Sequence, residues 1–156
     1  MKVLDLDTLE NLVGQETGRG EWFMIDQERI TRFADVTEDH QWIHEDVEAA
    51  AAGPFGRTIA HGYLTLSLVS HLMQDAAVMP GGASMYINYG TDKVRFLNPV
   101  TEGSRIRAIA TLKRVDRKSA DQILVTTNIV VEIEGEDRPA MVADILSLAI
   151  LDGDGA

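Results

Sequence analysis

Asp39 and His44 stand five residues apart in a polar stretch, and His61-Gly62 follows seventeen residues after His44. A carboxylate and an imidazole across one turn can aim their polar ends at one small volume. An ionised Asp accepts hydrogen bonds from water, and a His with an ordinary pKa of about 6.5 takes or gives a proton near neutrality. Together they could hold and activate one water molecule. A plainer reading of the same residues is that Asp39 closes a helix and His44 is satisfied within the turn, since both types are common in turns. His61-Gly62 opens an apolar run. A helix that starts there offers unpaired N–H groups and a positive dipole end to a developing oxyanion, and Gly62 has no side chain to keep a carbonyl away. It could equally be a glycine that lets a buried helix enter tightly. Spacing alone leaves both alternatives open.

Other chemistries find less support. His40, His44, His61, His71, Asp39 and Glu45 are near one another in sequence, but no HExxH-type spacing joins them and the chain has no cysteine, so no metal is expected. There is no Gly-x-Ser-x-Gly elbow, phosphate-binding loop or dinucleotide fingerprint. His71, inside the apolar run, is expected to be a hydrogen-bonded core residue.

The elements that must position these groups follow from periodicity. Asp7-Thr8-Leu9-Glu10 resembles a capping box for a short helix ending at Gly14. Glu21 to Ile25 is a short strand, and Asp26 is placed to cap a helix over Gln27 to Val36, with Ile30, Phe33 and Ala34 buried. Asp46 caps a second short helix that Gly53-Pro54 terminates. From Tyr63 to about Met79 the spacing is helical, and Leu64, Leu66, Leu68, Val69, Leu72, Met73 and Ala76 cover most of the circumference, which predicts a helix buried all round. Strands are predicted at Met85–Tyr89, Lys93–Phe96, Arg105–Leu112, Gln122–Ile133 and Met141–Leu151, the fourth with Ile123, Val125, Thr127, Ile129, Val131 and Ile133 on one face. The closing Asp-Gly-Asp-Gly-Ala is expected to fray. Antiparallel strands after one apolar helix must curl about it. The fold class is therefore α+β, a single hot-dog domain over residues 1–156, whose open edges favour a homodimer.

Composition narrows the partners. The formal charge of −11 argues against nucleic acid or an anionic membrane. No run approaches a membrane span of roughly 20 apolar residues, and the first residues lack a leader's apolar core, so a cytoplasmic location is the default expectation. Eight of the 14 Lys and Arg residues fall between Lys93 and Lys118. That segment could bind a phosphorylated small molecule, although a solvated strand face is the plainer reading of any one of them.

Phe33-Ala34-x-x-Thr37-x-Asp39, Ile43-His44-x-Asp46 and Gly56-x-Thr58-Ile59-Ala60-His61-Gly62 together resemble the signature of the MaoC-like, R-specific enoyl-CoA hydratases. The wording DHQWIH, AAAGPFG, TIAHG and INYG…KVRF is similar to the NodN-like branch. The resemblance spans Trp22 to the last strand. It implies a hot-dog fold, usually dimeric, acting on acyl-coenzyme A thioesters. It further implies that Asp39 and His44 activate water for addition to C3 of a trans-2-enoyl thioester, while the Gly62 N–H holds the thioester oxygen. Ser70, eight residues after Gly62, matches a supporting serine by count. The chain departs from the family's Asp-x-Asn-Pro-x-His in having Gln41-Trp42, which places Trp42 as a candidate pocket wall. His61 and Asn88 are further substrate-contacting candidates, and Lys93 and Arg95 are candidates for the coenzyme phosphates. Coenzyme A arrives with the substrate, so no separate cofactor is expected. The competing readings are a hot-dog thioesterase, disfavoured because Asp75 is the one acid on the helix and lies near its far end, and a non-catalytic acyl-CoA-binding protein.

Overall fold

The structure, a computed structural model, describes residues 1–151; the tail expected to fray lies outside them. In chain order the elements are β1 (Lys2–Leu4), α1 (Leu6–Asn11), β2 (Glu16–Arg19), β3 (Phe23–Met24), α2 (Gln27–Thr37), α3 (Trp42–Glu45), α4 (Val47–Ala51), α5 (Gly62–Ser67) and α6 (Val69–Leu72), followed by β4 (Val78–Pro80), β5 (Ala83–Phe96), β6 (Arg105–Arg117), β7 (Gln122–Ile133) and β8 (Met141–Leu151). The main sheet runs β2-β6-β7-β8-β5, with β3 also on β6, and every pairing in it is antiparallel. β1 and β4 form a separate parallel pair. This is the hot-dog arrangement, a curled antiparallel sheet around a helical segment.

Alternation explains the wrap. The six β7 residues expected on one face, Ile123 to Ile133 in steps of two, are all buried. Ile129, Val131 and Ile133, with the small residues Ala108, Ala110 and Ala143, pack with Leu64, Val69, Leu72 and Met73 of the helical segment, while Ile123 and Val125 join a second cluster with Leu9, Val78 and Met79. Backbone comes closest at Gly20, where an added Cβ would lie 2.2 Å from the carbonyl oxygen of Leu72. Only glycine fits there.

Several expectations are corrected. The long helix is two short ones, α5 and α6, joined at Leu68; Ala76 to Met79 leave the helix, and Val78–Pro80 pair with β1 instead. Nor is the segment buried all round. Tyr63, Ser67, Ser70, His71, Gln74 and Asp75 form an exposed stripe at helical spacing. His71 is therefore a surface residue, its ring edge-on to Phe23 at 4.7 Å rather than hydrogen-bonded in the core. Met85–Tyr89 and Lys93–Phe96 are one 14-residue strand, β5, kept continuous by register shifts at Asn88/Gly90 and Asp92/Arg95. Asp5, not Asp7, caps α1 by accepting from the Thr8 N–H at 2.8 Å. Only Phe23 and Met24 of the strand expected at 21–25 are paired. The Asp26 and Asp46 caps stand, accepting from Arg29 and Ala49 at 2.9 Å each.

Half of the basic segment is neutralised. Arg105 pairs with Glu134, Arg107 with Glu132, Lys113 with Asp144 and Arg114 with Asp116. Asp144 is the buried member, 3% exposed, accepting from Lys113 Nζ at 2.5 Å and from Asn128 Nδ2 at 2.9 Å. Burial pushes its carboxyl pKa up, but those two bonds and the Lys113 and Lys93 charges outweigh burial and hold it below the usual value. A depressed folded-state pKa contributes stability above the unfolded value of about 3.9, and that contribution is lost as pH falls through the folded one. Asp144→Ala removes the Lys113 bond and leaves Asn128 only its 3.4 Å bond to Ala143 O, and should cost about 1–3 kcal/mol near neutrality. In urea melts at neutral and acid pH the gap between the two proteins should narrow in acid. An equal gap at both would rule out this role.

Candidate active site

The site forms where α2 ends and the chain from Thr58 to Gly62 passes beneath it. α2 closes at Glu38, whose φ of 59° is left-handed although it is not a glycine. That conformation costs roughly 1–2 kcal/mol, and it turns Asp39 away from the helix axis. α3 is then a single turn, which presents His44 inward at 6% exposure while Asp39 stays exposed.

Segment 58–62 is fastened on both sides. Ala60 N–H donates to Val100 O at 2.7 Å and Glu102 N–H to Thr58 O at 2.9 Å. On its other side, Ile59 N–H donates to Ile43 O at 3.0 Å. Gln27, the first residue of α2, donates from Nε2 to His44 O at 2.8 Å and accepts from Thr58 Oγ1 at 2.5 Å. The turn bearing His44 is thereby bolted to the strand-like segment below it.

These bonds fix the imidazole tautomers. His44 Nδ1 lies 2.6 Å from Ile59 O, and a carbonyl only accepts, so Nδ1 carries the proton and Nε2 is left as a bare lone pair when the ring is neutral. His61 is reversed: its Nε2–H donates to Asp39 O at 2.9 Å, leaving Nδ1 as the lone-pair nitrogen, buried and without a partner. The two rings stack, with centroids 3.7 Å apart and planes 24° apart, and Phe33 lies against His61 at 5.1 Å. Burial, with a smaller push from His61, holds His44 below its ordinary pKa; the Ile59 bond and the Asp39 carboxylate only partly oppose this. Burial thus favours the neutral ring of His44, whose Nε2 lone pair stays open beside Asp39.

One potential ligand atom from each of Asp39, His44 and His61 falls within 4.8 Å of the others. Each imidazole spends one nitrogen on a carbonyl and keeps the other as a lone pair, so the cluster can hold a small polar ligand such as water.

Gly62 begins α5. The first helical bond there is Thr65 N–H to His61 O, and His61 makes no side-chain cap. The N–H groups of the first turn are thus free of intrahelical partners. Gly62 lines a cleft of about 290 Å³ with Thr65, Phe96 and Val100. A Cβ at Gly62 would lie 2.9–3.1 Å from the Phe96 ring, so the glycine is needed for that contact as well.

The other expected residues divide. Ser70 and Asn88 do come together, lining two adjoining clefts of about 430 and 260 Å³ between α6 and β5. Trp42 does not wall the cluster; its ring lies on Gly53, between α3 and the turn after α4. Lys93 is set beside Lys113, Arg114, Thr126 and Asp144, while Arg95 bonds its neighbour's carbonyl, Val94 O, at 2.7 Å. Neither is gathered with His44. Gln27, the Ile59 carbonyl, Phe33 and Phe96 complete the site without having been singled out for it. A carbonyl has no side-chain signature, and Phe96 reaches Gly62 from 34 positions along the chain.

In NMR titration His44 should show a midpoint below about 6.5. Because protonation then favours the unfolded chain, His44 supports stability above the unfolded pKa, and that support fades as pH drops through the folded value. A midpoint at or above 6.5 would rule out the neutral resting ring.

Comparison with known proteins gives the family. The family model described as MaoC like domain matches residues 8–134. The chain is 47% identical over 131 residues to 3-hydroxyacyl-thioester dehydratase Z of Mycobacterium tuberculosis, covering 84% of this chain and 86% of that protein. It is 42% identical over 153 residues to Nodulation protein N of Rhizobium leguminosarum bv. viciae, covering 97% and 95%. Among solved structures it resembles the (R)-hydratase from A. caviae involved in PHA biosynthesis, with TM-score 0.65, 26% identity and coverage of 86% and 94%. The chain belongs to the MaoC-like dehydratase family and is a hydro-lyase.

Proposed function

We propose that the chain is an R-specific enoyl-CoA hydratase, adding water reversibly across trans-2-enoyl-CoA to give the (R)-3-hydroxyacyl thioester. The carrying observation is the bare Nε2 of a buried neutral His44 beside the Asp39 carboxylate, joined through the stacked His61 to the free N–H of Gly62. One water donates its hydrogens to Asp39 and to His44 Nε2. Its oxygen bonds to C3 as the C2–C3 π electrons move toward the thioester carbonyl, whose developing charge the Gly62 N–H receives. The Asp39/His44 pair takes one proton from the water and returns one to C2, so the elements of water are added and the pair is restored. The R outcome and the coenzyme A carrier rest on the family resemblance. Names of relatives lend them support: a 3-hydroxyacyl-thioester dehydratase and an (R)-hydratase.

Lys93 and Arg95 are the cations proposed for the coenzyme phosphates. Both are exposed, and neither has a carboxylate in salt-bridge range among the described residues, in contrast to four of the other basic residues nearby.

A homodimer is proposed from β5. Its outer edge has no partner strand among the described residues, and it exposes Met85, Ile87 and Tyr89. Sedimentation should give about twice the 17.1 kDa chain mass; a monomer at assay concentration would overturn the dimer.

With crotonyl-CoA, enoyl absorbance should fall without thiol release, and the product should be the R alcohol. Asp39→Asn keeps the shape but loses the base, so kcat should drop by about 10²–10⁴ with the fold intact. Thiol release would make the protein a thioesterase. Binding without turnover across a panel of chain lengths would make it a carrier, and undiminished Asp39→Asn activity would remove Asp39 from the mechanism.

A further inference from the structure

His61 touches both halves of the reacting pair. Its Nε2–H is the tether on Asp39, donating to the main-chain oxygen at 2.9 Å, and among the described residues no other side chain bonds to Asp39. Its ring lies flat on His44 at 3.7 Å, with Phe33 behind it at 5.1 Å. The tether matters because Asp39 follows a left-handed residue and is itself exposed. An exposed loop residue with no such hold would sample many positions for its carboxylate.

The ring is also expensive to keep. At 3% exposure its Nδ1 has no partner among the described residues, and a buried unpaired acceptor costs about 1–3 kcal/mol. Glutamine could make the same donor bond, and leucine or phenylalanine could fill the space. Histidine does both jobs at once, offering a donor at the ring's far end and a flat face toward a second imidazole.

We infer that His61 is a positioning residue, which sets the separation of the Asp39 carboxylate and His44 by holding one through a hydrogen bond and the other through ring stacking. This rests on the hydratase reading. It assigns His61 a role in assembling the base pair rather than in contacting substrate, the role the sequence suggested for it.

Three variants separate the two holds. His61→Gln keeps a donor at the Nε2 position and loses the stack. His61→Phe keeps the stack and the volume but has no donor, and His61→Ala loses both. A displacement of about 1 Å in a reacting group costs about 10²-fold. The expected result is therefore a kcat loss of that order in His61→Phe, a larger loss in His61→Ala and partial rescue in His61→Gln. KM should change by no more than about threefold, because the thioester-binding groups are untouched. The main-chain carbonyl resonance of Asp39 in isotope-labelled protein should move in His61→Phe and stay near its wild-type place in His61→Gln.

That second readout needs no turnover. An inactive wild-type protein would defeat the hydratase reading alone, leaving the resonance to decide the tether. If His61→Ala does not fold, the Phe and Gln pair still decides. Unchanged kcat in His61→Phe, KM rising while kcat holds, or an Asp39 resonance that ignores all the variants would each overturn the proposal.

Discussion

The bond from His44 Nδ1 to the Ile59 carbonyl is the constraint on which the site depends. It satisfies a buried acceptor that would otherwise be costly. In doing so it decides which imidazole nitrogen can act as a base. Burial then keeps the ring neutral, so the bond and the desolvation act in sequence: one exposes the lone pair, the other keeps a proton from occupying it. The bond can do this only because Ile59 does not move. Its segment bridges to Thr101, its neighbour Ala60 is held by Val100, and its own N–H is spent on Ile43. The imidazole is thus referenced to the sheet, not to the loop that carries it.

The curled sheet and the short helices serve the same end. Small residues on β6 and β8 let α5 and α6 sink into the sheet, and Gly20 lets the carbonyl of Leu72 approach. That depth places the first turn of α5 next to the clamped segment, with Phe96 from the end of β5 closing over Gly62. Two parts of the chain 34 positions apart, Gly62 and Phe96, meet there. Their meeting is produced by packing.

What could be read in the sequence follows the range of the forces involved. β7 and β8 have the expected bounds because alternation of β-branched residues is a local property. Likewise α2 starts after Asp26, because a cap acts within three residues. The helix end was misplaced because Ala76-Ala77-Val78-Met79 is a plain apolar run, compatible with a buried helix or a buried strand. Pairing with Lys2–Leu4, some 76 residues earlier, decides it, and that lies outside any local window. Asp39, His44 and Gly62 were visible as residue types at a spacing. The tautomers were not, since they depend on two main-chain carbonyls, and neither was the stacking of His61, since it depends on how the turn of α3 lies over the segment below. Trp42 shows the same limit from the other side: a distinctive residue close to His44 in sequence faces Gly53 in space.

Under the proposed hydratase reading, the protonation state set up by these contacts serves both directions of a reversible reaction. In hydration the pair accepts a proton from water and gives one to C2. In dehydration it takes a proton from C2 and gives one to the departing hydroxyl, along the same path reversed. With Nδ1 committed to Ile59, His44 leaves Nε2 open to that one proton in either direction, so the pair need exchange none with solvent. A resting ion pair with His44 protonated would have filled the nitrogen that hydration needs empty. Under that reading the burial of His44, its carbonyl-fixed tautomer and the exposure of Asp39 to water meet one requirement in three ways: a single proton's worth of capacity kept open at the pair.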